Sequence, residues 1–181
     1  MVEARQGVAE LKLADADPRC VGVGPEPRQR YHSRKSEGVI VKKIIHFARI
    51  HAAPDRVYRA ITTRDGLAAW WSTVVDVQDG VGGLVDFRFA GDFNPVMQVT
   101  LLEPGRRVEW KCVNGHDNWK NNTFSFQLKD VNAETGLMFV QEYAQELSDE
   151  VYGTYNFNWG YYLGSLKRLC EEGIGTPFEA N

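Results

Sequence analysis

Between Ser148 and Gly173 the sequence carries one unbroken helical signal, longer than any other in the chain. Ser148 suits an N-cap, Asp149 and Glu150 suit the positive end of a helix dipole, and Gly173 followed by Pro177 supplies a stop. Within it Val151, Tyr155, Trp159, Tyr162, Leu166 and Leu169 recur at steps of three and four, which predicts one apolar stripe. At ~1.5 Å per residue such a helix runs roughly 35 Å, against ~20 Å for a typical strand. It must therefore pack across a broad surface made of several shorter elements.

Those elements precede it. "RRVEWKCV" turns Val108, Trp110 and Cys112 one way and Arg107, Glu109 and Lys111 the other. "TFSFQL" puts Phe124, Phe126 and Leu128 on one side, and "LVDFRF" sets Leu84, Asp86 and Arg88 against Val85, Phe87 and Phe89. "STVVDV", "PVMQVTLLEPG" and "GLMFVQEYAQ" read as further strands, with "NGHDNWKNN" a polar connector opened by the turn pair Asn114-Gly115. Alternation with one polar face means an antiparallel sheet wetted on one side. Ahead of these, "VIVKKIIHFARI" is a β-branched strand that runs into "HAAPDRVYRAI", where Pro54 and Asp55 open a short helix. "DGLAAWWS" adds a second helical piece ending in Trp70-Trp71. The expected fold class is α+β: a curved antiparallel sheet of about six or seven strands, as read from these segments, wrapped around a long C-terminal helix in a helix grip, with two short helices after strand one.

Composition limits the rest. A chain of 181 residues with a net charge of −3 suits one domain and argues against a nucleic-acid partner. No apolar run reaches membrane-spanning length, so no membrane partner is expected. Cys20, Cys112 and Cys170 are few and unclustered, which points to a reducing, cytoplasmic setting without disulfides or zinc. Residues 1–38 hold one aromatic ring, Tyr31, among scattered prolines and glycines, too little apolar surface to offset ordering entropy. They read as a disordered tail before a domain over 39–178, or as an over-long start, with translation beginning at Val39 or Val41.

This order of elements resembles the START-like, or SRPBCC, superfamily. More narrowly it is similar to the family named for the C-terminal domain of the activator of the ninety-kilodalton heat-shock-protein ATPase. The likeness spans roughly residues 40–178 and rests on "IHAAPDRVYRAIT" with "GLAAWWS", on "VTLLEPGRRVEWKC", and above all on "NWGYYLGSLKRLCEEGIGTPF". The resemblance implies a cavity between the concave sheet face and the long helix that holds apolar small molecules. The broad superfamily includes lipid carriers, hormone-binding plant proteins and polyketide aromatase/cyclases; the narrow family includes co-chaperone domains. The implied function is binding of a small hydrophobic or aromatic ligand. A chaperone-ATPase-activating or self-associating interaction domain is the second reading, and a cyclase/dehydratase-type enzyme the third. Fold alone does not choose among them.

The residues themselves offer no nucleophile elbow and no acid–base motif, so no catalytic residue, metal or cofactor is assigned. His46, His51 and the His116-Asp117 pair read as structural or solvated groups, and "EEGIGTP" as a helix stop. Aromatics are the better candidates: Trp71, Phe87, Phe89, Trp110, Phe124, Phe126, Tyr143, Tyr155, Trp159 and Tyr162 are expected to line the pocket, the tyrosines and tryptophans bringing polar tips. Asp86 and Arg88 are expected on the solvent face. Gly153, Gly160 and Gly164 share one strip of the helix, away from the stripe, which predicts close approach of a neighbouring backbone, with a tolerated, solvent-facing strip as the alternative. Phe157 and Tyr161 form a second aromatic patch further round, beneath a loop or on a partner surface.

Limited proteolysis tests the domain boundary. Cleavage is expected repeatedly before Val39, leaving a resistant core of about 140 residues, a size that supports one hydrophobic core. A resistant fragment retaining residues 10–30 would contradict the tail.

Overall fold

The computed structural model describes residues 42–91 and 93–180. The expected tail over residues 1–38 and the alternative starts at Val39 and Val41 lie outside the described residues.

The first strand, β1 (Lys43–Ile50), turns Ile44 and Ile50 inward and leaves Ile45 and Phe47 exposed on the outer face. Helix α1 (Pro54–Thr62) begins at its proline and buries Val57, Ala60 and Ile61. Helix α2 (Arg64–Ala68) is capped by Thr63, whose hydroxyl accepts from the Gly66 amide at 3.1 Å. It stops short of the two indoles, and Trp70 and Trp71 occupy the turn that follows, stacked 5.6 Å apart.

Six more strands follow: β2 (Val75–Val77), β3 (Leu84–Phe87), β4 (Val96–Glu103), β5 (Arg107–Asn114), β6 (Thr123–Val131) and β7 (Glu134–Glu142). They join β1 in one seven-stranded sheet, ordered β1-β7-β6-β5-β4-β3-β2, antiparallel throughout. Register shifts in β4, between Val96 and Met97 and between Val99 and Leu101, bend the strand and help the sheet curve. The alternation read from β5 and β6 holds: Val108, Trp110, Cys112, Phe124, Phe126 and Leu128 share the buried face.

The long helix α3 (Asp149–Glu172) covers 24 residues, capped by the Ser148 hydroxyl, which accepts from the Val151 amide, and ended by Gly173 at φ 80°. The fold is the expected α+β helix grip. Two expectations about α3 need correction. Its buried seam is Trp159, Leu163, Leu166 and Cys170, while Val151, Tyr155, Tyr162 and Leu169 are only half-buried. The seam is turned from the predicted stripe because α3 packs closest to β1 and α1, toward one edge of the sheet. Nor do the helix glycines admit another backbone. Among the described residues, a Cβ at Gly153 or Gly164 would meet nothing within 4 Å, and one at Gly160 would meet only the His46 ring at 3.7 Å.

The β1 edge of the sheet is covered, and at the other end the turn that leads into β2 is pinned. Along β1, side chains of α3 take up strand-edge backbone groups: Tyr152 Oη donates to the Lys43 carbonyl at 2.7 Å and Lys167 Nζ to the Arg49 carbonyl at 2.6 Å. The His51 amide, just past the strand, donates to Glu171 Oε1 at 2.7 Å. These bonds block strand addition from another chain. At the opposite edge, the chain after α3 turns back over the indole turn. Phe178 N donates to the Trp71 carbonyl and Thr73 N to the Phe178 carbonyl, both at 2.9 Å. "EEGIGTP" is thus more than a helix stop, and Gly175 is its tightest point: a Cβ there would lie 2.0 Å from the Ala69 carbonyl oxygen.

The two glycine environments give opposite predictions. Gly175→Ala must push backbone against backbone and is expected to lower stability by about 1–3 kcal/mol. Gly153→Ala, in open space on a helix, is expected to raise it by up to ~1 kcal/mol. Urea denaturation midpoints of the two variants check both signs.

Candidate functional site

The inward residues of the sheet meet α3 in a continuous network of rings. Trp71 lies at its centre, with ring centroids 4.2 Å from Phe87, 5.1 Å from Trp159 and 6.1 Å from Trp110. Phe126 packs on Trp110 at 4.9 Å and on Phe139 at 5.0 Å, and Phe139 lies 4.2 Å from Trp159. Through Trp119 the network reaches Phe124 at 5.1 Å and Tyr155 at 5.8 Å, and Tyr155 stacks on Tyr143 at 6.2 Å. Phe89 joins from Trp71 and touches Tyr162 edge-on.

All ten predicted aromatics therefore belong to one network. Trp71, Phe87, Trp110, Phe124, Phe126, Tyr143 and Trp159 are buried, while Phe89, Tyr155 and Tyr162 form a half-buried flank. Sequence reasoning missed three members. Phe139 and Gln141 lie at inward positions of β7 and were available from the alternation Leu137, Phe139, Gln141, Tyr143. Trp119 stands alone in the polar connector. That loop is ordered by Asn122, which donates to the Asn118 carbonyl at 2.8 Å and accepts from Ala144 N at 2.9 Å, and it delivers the indole inward. A lone tryptophan among polar residues was the available signal.

The polar tips are distributed unevenly. Trp159 Nε1 donates to Gln141 Oε1 at 2.6 Å in a buried bond. An indole can only donate, so the Gln141 amide is fixed with its NH₂ group turned elsewhere. Gln141 Nε2, Trp119 Nε1 and Tyr143 Oη are buried with no hydrogen-bond partner among the described residues. Gln141 on β7 and Tyr143 just past its end both turn inward, and Phe124, beneath Trp119, pairs with Gln141 in register. The orphaned groups thus share the region under the N-terminal half of α3.

Burial sets the titration of this region. It holds the Tyr143 phenol far above its ordinary range, with Tyr155 and Tyr152 adding to the effect. Tyr162 is pushed up to about 12 by burial and by neighbouring Tyr161. The free thiols of Cys112 and Cys170 are each raised to about 11, chiefly by burial. Asp86 and Arg88 pair with each other at 3.0 Å on the outer side of the sheet, opposite Val85 and Phe87. His46 meets Asn156 at 3.1 Å, His51 meets Glu134 at 2.7 Å, and His116 Nδ1 accepts from Asn118 N. Two cavities flank the ring network. One of about 210 Å³ lies beside α1 among Tyr58, Ile61, Val77, Val99, Leu102 and Trp110. Another of about 240 Å³ lies on the outer sheet face among Thr100, Arg107, Glu109, Ser125 and Gln127.

A family model described as "Activator of Hsp90 ATPase homolog 1-like protein" matches residues 51–171. No curated protein matches. Among solved structures, the Aha1 dimer from Colwellia psychrerythraea is similar at 35% identity and TM-score 0.68, covering 74% of this chain and 99% of that one. A conserved protein of unknown function from Enterococcus faecalis shares 20% identity at TM-score 0.62, covering 77% of each chain. CalU16 from Micromonospora echinospora shares 17% at TM-score 0.61, covering 75% of this chain and 70% of its own. The last two speak to the fold alone.

The buried phenols carry a pH prediction. The fold favours the neutral forms of Tyr143 and Tyr162, so the native state holds those protons more tightly than the unfolded chain. Their contribution to stability is complete below pH 10 and falls as the pH rises from the ordinary tyrosine value of 10 toward about 12. In an ultraviolet titration Tyr143 is expected to ionise only as the protein unfolds and the half-buried Tyr162 near pH 12, with Tyr143→Phe and Tyr162→Phe identifying them. Early ionisation of either in the folded protein contradicts their burial.

Proposed function

The chain belongs to the family of Activator of Hsp90 ATPase homolog 1-like proteins, and from that premise we propose that it binds a small, largely apolar or aromatic molecule between the sheet and α3. One observation carries this reading: the orphaned polar atoms of Trp119, Gln141 and Tyr143 within an aromatic interior. Each buried polar group without a partner costs roughly 1–3 kcal/mol. An indole N–H and an amide NH₂ can only donate, so the complementary ligand presents acceptors, such as a carbonyl, carboxylate or ether oxygen, on an apolar body. Entry is assigned to the half-buried flank of Phe89, Tyr155 and Tyr162, the part of the network with least to displace. The ten aromatics predicted from sequence, with Trp119, Phe139 and Gln141, make up the proposed site. The cysteine pattern, including the free thiols of Cys112 and Cys170, supports action in the cytoplasm.

A second reading is a protein-interaction role, chaperone-related or self-associating. It is favoured by the family description and by the relative whose structure is that of a dimer, 35% identical over most of this chain.

Mass spectrometry of the protein purified from its own host under native conditions tests the first reading, with a bound small molecule expected. Tyr143→Phe removes an unpaired polar atom, so the ligand-free melting temperature is expected to hold or rise, whereas Gln141→Leu also strips Trp159 Nε1 of its acceptor and is expected to lower it. Affinity for the recovered molecule is expected to fall roughly 5–10-fold per lost hydrogen bond. Recovery of no bound molecule together with no saturable binding of an apolar dye, or affinity untouched by both variants, overturns the ligand reading. Capture of the host chaperone by the wild-type chain would favour the second.

A further inference from the structure

We propose that the outer face of α3 is a self-association surface on which a second copy of this chain lays its own α3 antiparallel. The inference rests on the self-association reading above and is independent of the ligand reading. Four exposed residues, Glu150, Phe157, Tyr161 and Arg168, are spaced by seven, four and seven positions, so they form one line along the helix. Phe157 is 76% exposed and Tyr161 47%, far more than rings on a face with an internal partner.

The line is symmetric about position 159. Phe157 and Tyr161 lie two residues to either side of it, and Glu150 and Arg168 nine residues to either side. A two-fold axis at that point sets Phe157 against the partner's Tyr161 and Glu150 against the partner's Arg168, each contact made twice. Aromatic thus meets aromatic and acid meets base, as an isologous interface requires of one patch. A parallel arrangement would instead set like charge on like charge.

Beside this line runs the exposed glycine strip. Gly153 and Gly164 would admit a Cβ without meeting any described residue within 4 Å, and Gly160 nearly so, which makes the strip a shallow groove. Glycine inside a helix lowers its stability by up to about 1 kcal/mol per residue, and nothing among the described residues offsets that loss here. The Gly160-x-x-x-Gly164 spacing lets a second helix approach closely, with bulky rings beside the groove filling the partner's. The contact is one helix wide, at the small end of specific interfaces, so the dimer is expected to be weak and concentration-dependent.

Sedimentation of the full chain across a concentration series, at low ionic strength, tests the proposal. The wild type is expected to dimerise. Phe157→Ser is expected to raise the dimer Kd at least ~tenfold, and Arg168→Glu, which sets acid on acid twice, by a similar factor. Combining Glu150→Arg with Arg168→Glu restores the complementary pairs and is expected to recover most of the affinity. All four side chains lie on the surface, and circular dichroism confirms that each variant is folded. A wild type that stays monomeric up to ~1 mM, the weak limit of measurable association, overturns both this surface and the self-association reading. A dimer indifferent to Phe157→Ser and Arg168→Glu leaves self-association standing and overturns this surface. A double variant no tighter than Arg168→Glu alone overturns the antiparallel arrangement, and the proposal with it.

Discussion

The indole of Trp159 joins the helix to the sheet. Its N–H is committed to Gln141 on β7, and its ring packs on Phe139 at 4.2 Å and on Trp71 at 5.1 Å. A buried donor bonded at one end and close-packed on both sides leaves the helix little freedom to rotate. Once Trp159 points inward, helical geometry sends Leu163, Leu166 and Cys170 inward as well and turns Phe157 and Tyr161 to the far side. The same rotation brings Tyr152, Lys167 and Glu171 over the backbone of β1, where they close the edge of the sheet.

Trp71 is held from the other direction. It follows α2 in a turn held by Trp70 Nε1 on the Ala60 carbonyl and by Ser72 Oγ on the Arg88 carbonyl, and paired with the returning C-terminal segment at Phe178. That return depends on Gly175, because any side chain there would collide with the Ala69 carbonyl. The C-terminal residues therefore act on the aromatic interior without entering it: they help to fix the turn, the turn fixes Trp71, and Trp71 meets Trp159. Sheet edge, indole turn and helix rotation form one closed mechanical circuit.

Much of this was legible in the residues. The period-two alternation of β5 and β6 names the buried face residue by residue, because one sheet face is wet and any slip in register would expose it. Ser148 and Gly173 mark the ends of α3 through backbone chemistry that needs no tertiary partner. What was not legible depends on where elements meet. The rotation of α3 follows from its position near β1 and α1, which periodicity alone does not contain. Trp119 belongs to the ring network through a loop whose shape is set by Asn122 side-chain bonds far from any regular pattern. The glycines are the clearest case: Gly175 and Gly153 look alike in the sequence, yet one is required by a backbone contact and the other faces open space. Residue type gives conformational freedom, and only the packed structure says whether it is used.

The inner and outer faces of α3 place different demands on the protein. Docking a second helix leaves Phe157 and Tyr161 in place, since both rings are already exposed, and asks only the Arg168 guanidinium, which donates to Thr176 Oγ1 at 2.6 Å, to share or exchange its partner. Admitting a ligand among rings whose centroids are separated by 4.2–6.5 Å does, and the displacement falls on the half-buried flank that includes Tyr155 and Tyr162 of the same helix. Tyr155 and Tyr162 bracket Phe157 and Tyr161 along one rigid element, so a shift of α3 that opens the flank also moves the outer line. Two binding events that act on one rigid helix are linked, and the linkage is reciprocal in free energy. If opening tilts α3 away from the straight line that joins Glu150 to Arg168, the ligand weakens the dimer and the dimer weakens the ligand by the same factor. If the flank opens by side-chain rotation alone, with Trp159 keeping its bond to Gln141, the two faces act independently. The Trp159–Gln141 hydrogen bond, which fixes the fold, therefore also decides whether its two candidate surfaces sense each other.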